Sequence, residues 1–189
     1  MKKIAFLLLT LTLNIAFAQH EHAMSNAKLA HDASHRLGRL VDTSKINEVF
    51  LKDMKSLEVV AIPHNQHTDP AFNITAKAGS DSETVLTFDM MGKYLSNKLV
   101  NQTPSSDRPF DMDSSELIEA SLHWLMSATD PNLDLTPFVG DLNKVVLNQQ
   151  KNNDGTGQPI VTVSSSKTTK VLKVVLSAKG EMVSYSIVE

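Results

Sequence analysis

A strand–turn–strand pattern that occurs twice, 88 residues apart, constrains this chain more than any other feature. The first copy runs Val85-Leu86-Thr87-Phe88-Asp89-Met90-Met91-Gly92-Lys93-Tyr94-Leu95-Ser96-Asn97-Lys98-Leu99-Val100, and the second runs from Val174 to Val188 around Gly180. Leu86, Phe88 and Met90 alternate with other residues, so they share one face of a strand. Gly92 falls where a tight turn needs a positive φ, which glycine adopts at little cost. Val174 and Leu176 keep the phase of Leu86 and Phe88. The order of elements before each hairpin also agrees. This predicts an α+β fold of two similar units, each one or two helices followed by a small antiparallel sheet of three to four strands. The same spacing pairs His35 with His123, Leu37 with Leu125, Asp42 with Asp130, Phe50 with Phe138 and Asp53 with Asp141. Phe72 and Ile74 fit Ile160 and Thr162 less well, which suggests a slip of one residue in the middle strand. The alternative is coincidence between two ordinary α+β hairpins.

Residues 27–101 are expected to form the first unit, 102–112 a Ser/Pro-rich linker, and 113–189 the second unit. Leu29, Ala33, Leu37, Leu40 and Val41 recur at helical spacing, which leaves His31 and His35 on the opposite, exposed face. Ile46 to Leu57 reads as a second short helix, and Leu57 to Ile62 as a strand ended by Pro63. Ala71 to Ala76 reads as a half-buried strand. Asp113-Ser114-Ser115-Glu116 has the form of a capping box for a helix whose inner side is Leu117, Ile118, Ser121, Leu122, Leu125 and Met126. Leu133 to Leu142 reads as a short helical turn, followed by strands at Val145 to Leu147, Ile160 to Val163 and the closing hairpin.

The first 18 residues have the plan of a cleavable signal peptide: Lys2 and Lys3, an apolar run from Ile4 to Leu13, and Ala16-Phe17-Ala18. No cysteine follows, so no lipid anchor is expected there, and an uncleaved membrane anchor is the alternative. Removal of the 18 residues leaves 171, beginning with a flexible stretch over 19–26. The expectation is a periplasmic or secreted protein that does not span a membrane. The absence of cysteine rules out disulfides and thiol chemistry. Without Lys2 and Lys3 the formal charge moves from −3 to −5, and no basic stripe is present, so nucleic acid is not the expected partner.

Each half ends in a hairpin of the form Asp-x-x-Gly-Lys-x-Leu, carried by Asp89-Met90-Met91-Gly92-Lys93-Tyr94-Leu95 and, without the Asp, by Ser177-Ala178-Lys179-Gly180-Glu181-Met182-Val183. With the helix before it, this resembles tandem PepSY-type domains of exported bacterial proteins. That family is associated with inhibition or chaperoning of proteases and with cell-envelope sensing. The resemblance implies a binding module with a protein or peptide partner and supplies no catalytic residue.

Histidine is the residue type with chemistry to weigh. Six of seven lie between His20 and His67, namely His20, His22, His31, His35, His64 and His67. His-x-His at 20 and 22 and the i, i+4 pair His31/His35 are chelating spacings for copper or zinc, with Met24 as a soft neighbour. Solvated surface histidines are the other reading. His31 and His35 lack the His-Glu-x-x-His arrangement of a metalloprotease. His123, beside Trp124, reads as a half-buried structural residue. The acids Asp107, Asp111, Asp113, Glu116 and Glu119 lack a Ca²⁺-loop spacing and read as charges favouring a helix N-terminus. No nucleophile elbow or Gly-rich phosphate loop is present, so an enzyme is not expected. Two functions therefore stand: an exported, non-catalytic binding or inhibitor-like protein without a cofactor, or a periplasmic divalent-metal binding or sensing protein that uses the N-terminal histidines.

Overall fold

Among the described residues, eight antiparallel strands form one sheet and four helices accompany it. A computed structural model describes residues 24–104, 108–151 and 157–189. The segment expected to be a signal peptide, His20, His22, Asp107 and residues 152–156 lie outside the described residues.

The first half of the chain contains α1 (Asn26–Asp42), α2 (Val49–Lys52), β1 (Met54–Ala61), β2 (Pro70–Ala78), β3 (Ser82–Asp89) and β4 (Tyr94–Asn101). The second contains α3 (Ser114–Ser127), α4 (Thr136–Gly140), β5 (Leu142–Lys151), β6 (Gly157–Ser165), β7 (Thr168–Leu176) and β8 (Met182–Val188). The second helix expected over Ile46 to Leu57 is shorter than its apolar spacing suggests. Strand pairing takes over at Met54, which lies opposite Ala78.

The two small sheets expected from the sequence are one. Strand order is β4-β3-β2-β1-β5-β6-β7-β8, so each half is a four-stranded meander and the seam is β1 against β5. Ser56, Leu57 and Glu58 lie opposite Val146, Val145 and Lys144. Alone, each meander would end in an edge of unpaired N–H and C=O groups at β1 or β5, and joining the two satisfies both. The buried apolar residues of both halves accordingly form one continuous core.

Alternation places Leu57, Val59, Ile74 and Leu86 on the same buried side as Val145, Leu147, Val161 and Val174, beneath the helices. Lys77 and Lys144 lie on the opposite, solvated side. α1 turns Ala27, Ala30, Ala33 and Ser34 inward, and these small side chains let it approach α3 closely, where the Ser34 hydroxyl donates to the Ser115 carbonyl at 3.3 Å. α3 buries Leu117, Ile118, Ser121, Leu122 and Leu125 as its periodicity predicts. Asp113 occupies the N-cap position, yet its side chain makes no capping hydrogen bond; it accepts from Arg108 Nε at 3.1 Å instead. The reciprocal capping box is thus not formed.

The two hairpin turns are built alike. Gly92 has φ +76° and Gly180 φ +78°. At the first turn the Asp89 carboxylate accepts the backbone N–H groups of Met91 and Lys93, each at 2.9 Å. At the second the Ser177 hydroxyl accepts those of Lys179 and Glu181 at 3.2 and 3.1 Å. Serine therefore serves where the second motif lacks aspartate.

Candidate functional site

The polar sides of α1 and α3 meet above the sheet, and there four side chains come together from two i, i+4 pairs. α1 supplies His31 and His35; α3 supplies Glu119 and His123. In each pair the residues stand one turn apart on the same face of their helix. The close approach of the helices, set by the small residues between them, brings the pairs face to face.

His35 Nε2 lies 3.0 Å from Glu119 Oε1, and His31 Nε2 lies 4.0 Å from the same oxygen. One donor atom from each of His31, His35 and Glu119 falls within 4.8 Å of the others. The rings of His31 and His35 meet edge to face with centroids 4.9 Å apart. The His123 ring stands 6.3 Å from that of His31. His31 Nδ1 is 3.4 Å from Asp32 Oδ1, which favours the tautomer with hydrogen on Nδ1 and leaves the Nε2 lone pair, on the side of Glu119, free to ligate a cation. Asp32 is itself paired with Lys28. Two imidazoles and a carboxylate suit Zn²⁺ or Cu²⁺. In a tetrahedral zinc site, bonds of about 2.0–2.1 Å put donor atoms roughly 3.4 Å apart. The observed 3.0 and 4.0 Å separations need only small side-chain rotations to reach that.

Among the described residues, His31, His35 and Glu119 are the one group of three or more with this convergence. His64 and His67 sit in the β1–β2 loop, outside the cluster. His64 Nδ1 is 3.4 Å from the Ile62 carbonyl, and His67 Nδ1 is 2.8 Å from Met90 Sδ. Met24 lies over Gly92 in the β3–β4 turn.

The structure corrects two sequence expectations here. His31 is half-buried against α3 rather than exposed, and His123 is exposed rather than half-buried. Both follow from the crossing of α1 and α3, which the periodicity of either helix alone does not specify. Sequence reasoning also missed Glu119 as a candidate ligand. The 88-residue spacing contained the signal, because it pairs His31 with Glu119 just as it pairs His35 with His123.

Compared with family models, curated proteins and solved structures, this chain matches none. The site therefore stands on its geometry.

A second polar contact closes the C-terminal end of α3. The Tyr185 hydroxyl donates to Asp130 Oδ2 at 2.6 Å, and the Trp124 and Tyr185 rings meet at a tilt of 45° with centroids 4.6 Å apart. This hydrogen bond, helped by the Asn132 backbone N–H, holds the Asp130 carboxyl below its ordinary value. The same bond, with burial and the Asp130 charge, pushes the Tyr185 hydroxyl up. The contact fastens β8 to the helix layer, and the adjoining cavity of about 650 Å³ is mostly apolar, lined by Leu125, Met126, Leu133 and Val139. No helix among the described residues is long and apolar enough to cross a membrane.

Proposed function

We propose that this chain is an exported, non-catalytic binding protein made of two copies of one α-α-β-β-β-β unit, which holds a divalent transition-metal ion between them. The observation that carries the metal reading is the meeting of His31, His35 and Glu119 donor atoms within 4.8 Å, contributed from both halves of the chain. Duplication is supported by the starts of α1 and α3 at Asn26 and Ser114, and of β1 and β5 at Met54 and Leu142, each 88 residues apart. The matched turns at Gly92 and Gly180 support it too, as do Met24 and Met112, which lie over those two glycines. Pairing supports the one-residue slip in the middle strand. Val59 lies opposite Ile74 while Leu147 lies opposite Val161, a spacing of 88 for one strand and 87 for the next.

On this reading His31, His35 and Glu119 are the ligands, His123 closes the fourth position, and Asp32 orients His31. The ion ties α1 to α3, so metal level in the envelope would be read as the firmness of the helix pair.

Zinc and copper titration of the chain from Gln19 onward tests this. One ion should bind per chain, and His31→Ala/His35→Ala and Glu119→Ala should each weaken it by at least about 100-fold. Binding that is unchanged in both variants would assign the metal to the histidines at 20 and 22 and sink the site.

A second reading, with a protein or peptide as ligand, is favoured by the two sheet edges. β4 exposes Leu95, Leu99 and Val100, and β8 exposes Met182, Val183 and Val188. An extended peptide adding to such an edge would suit a PepSY-like module. Lysine at Val100 or Val183 should abolish capture of such a partner; equal capture by both variants removes this reading.

A further inference from the structure

Beside the histidine cluster, a cleft of about 350 Å³ opens between α1 and the β3–β4 hairpin. Its lining includes Asp32, His35, Arg36, Arg39, Phe88 and Tyr94. Arg36 and Arg39 stand on one face of α1 at i, i+3, so both guanidinium groups can address one ligand. The Arg36 guanidinium carbon lies 3.8 Å from the centre of the Tyr94 ring. Arg36 Nε is shut off from solvent and has no hydrogen-bond partner. Among the described residues neither arginine takes part in an ion pair, and the one carboxylate in the lining, Asp32, is taken by Lys28.

A guanidinium stacked on an aromatic ring is fixed in orientation while its N–H edges remain available. That is the arrangement that takes a carboxylate or phosphate in bidentate fashion. Nε lies too deep for a ligand to reach, so an oxyanion in the cleft would meet the Nη groups of Arg36, which are not shut off in this way. The chemistry belongs to the first half alone, because the positions 88 residues after Arg36 and Arg39 are Trp124 and Ser127.

We propose that this cleft binds the oxyanion group of a small molecule, a carboxylate or a phosphate, through Arg36 and Arg39 over Tyr94. The site shares His35 with the metal cluster but does not need a metal ion.

Calorimetric titration of EDTA-treated, dialysed protein with succinate and with inorganic phosphate tests it, since stripping excludes an anion held by bound metal. One saturable site is expected for at least one probe. The tighter of the two identifies the source of the oxyanion. Arg36→Gln and Arg39→Gln should each weaken binding by about tenfold or more. Arg36→Lys should weaken it as well, since a lysine keeps the charge but not the stacked fork. Arg39 is exposed, so its variant stays folded even where those of Arg36 do not. Lys77→Gln, on the far side of the sheet, should bind as the parent does. Failure of both probes to saturate below about 1 mM, or parent-like binding by Arg39→Gln, overturns the proposal.

Discussion

Gly92→Ala is expected to destabilise the fold by about 1–3 kcal/mol, in two separable parts. Gly92 has φ +76°, a conformation that costs an alanine about 1–2 kcal/mol. Restricting the unfolded chain returns roughly 0.5 kcal/mol of that. The second part is steric. A Cβ at residue 92 would run into the terminal methyl group of Met24 and come within 3.2 Å of its Cγ and 3.3 Å of its Sδ. Met24 is packed against the core, so displacing it forfeits contacts, a strain on the order of 1 kcal/mol. For a chain of this length each kcal/mol lowers Tm by about 2–4 °C. Urea unfolding, followed by the fluorescence of the single Trp124, should be measured for Gly92→Ala, Met24→Ala and the double variant. In the Met24→Ala background the clash is gone while the φ cost stays, so Gly92→Ala should cost about 1 kcal/mol less there. The Gly180 turn, with Met112 Sδ at 2.9 Å from the equivalent Cβ position, should behave the same way. A Gly92→Ala cost below about 0.3 kcal/mol, or equal costs in both backgrounds, would refute this reasoning.

Zinc at about a hundredfold excess over its Kd should stabilise the protein by about 2.7 kcal/mol, raising Tm by roughly 5–10 °C. Thermal melts with ZnCl₂ and with EDTA should differ for the parent and coincide for Glu119→Ala. The Tyr185–Asp130 contact predicts stability at two pH flanks. The lowered Asp130 contributes above the ordinary 3.8 and is lost as pH falls through its depressed value. The raised Tyr185 contributes below the ordinary 10.0 and is lost as pH rises through its elevated value. Tyr185→Phe should therefore flatten both flanks of a Tm–pH profile, and parallel profiles for the two proteins would contradict the coupling. Asp89→Ala leaves two backbone N–H groups of a turn without their acceptor and should cost about 1–3 kcal/mol in chemical denaturation, more than Ser177→Ala.

Much of the fold was legible in the chain because its signals are local. Leu29, Ala33, Leu37 and Leu40 are buried as their spacing predicts, and so are Leu117, Ile118, Leu122 and Leu125. Gly92 and Gly180 sit in left-handed turns as their place between apolar runs implies. The second short helix was over-read because Ile46, Val49, Phe50, Met54 and Leu57 keep helical spacing while Met54 and Leu57 belong to β1. An apolar residue buried in a strand satisfies the same pattern over so few positions. The site was half legible. His31 and His35 were visible as a pair, but Glu119 looked like one of several acids near a helix start and His123 like a neighbour of Trp124.

By itself the sequence determined most of the elements and their apolar inner faces, because periods of 2 and 3.6 residues and turn glycines act within a few residues of chain. Tertiary structure alone decided two things. It joined the meanders through Leu57 and Val145 at the β1–β5 seam, since an edge strand pairs with whatever complementary edge the core brings beside it. It also set Glu119 3.0 Å from His35, because which polar sides of two helices meet depends on how their small and apolar residues pack, not on the polar residues themselves.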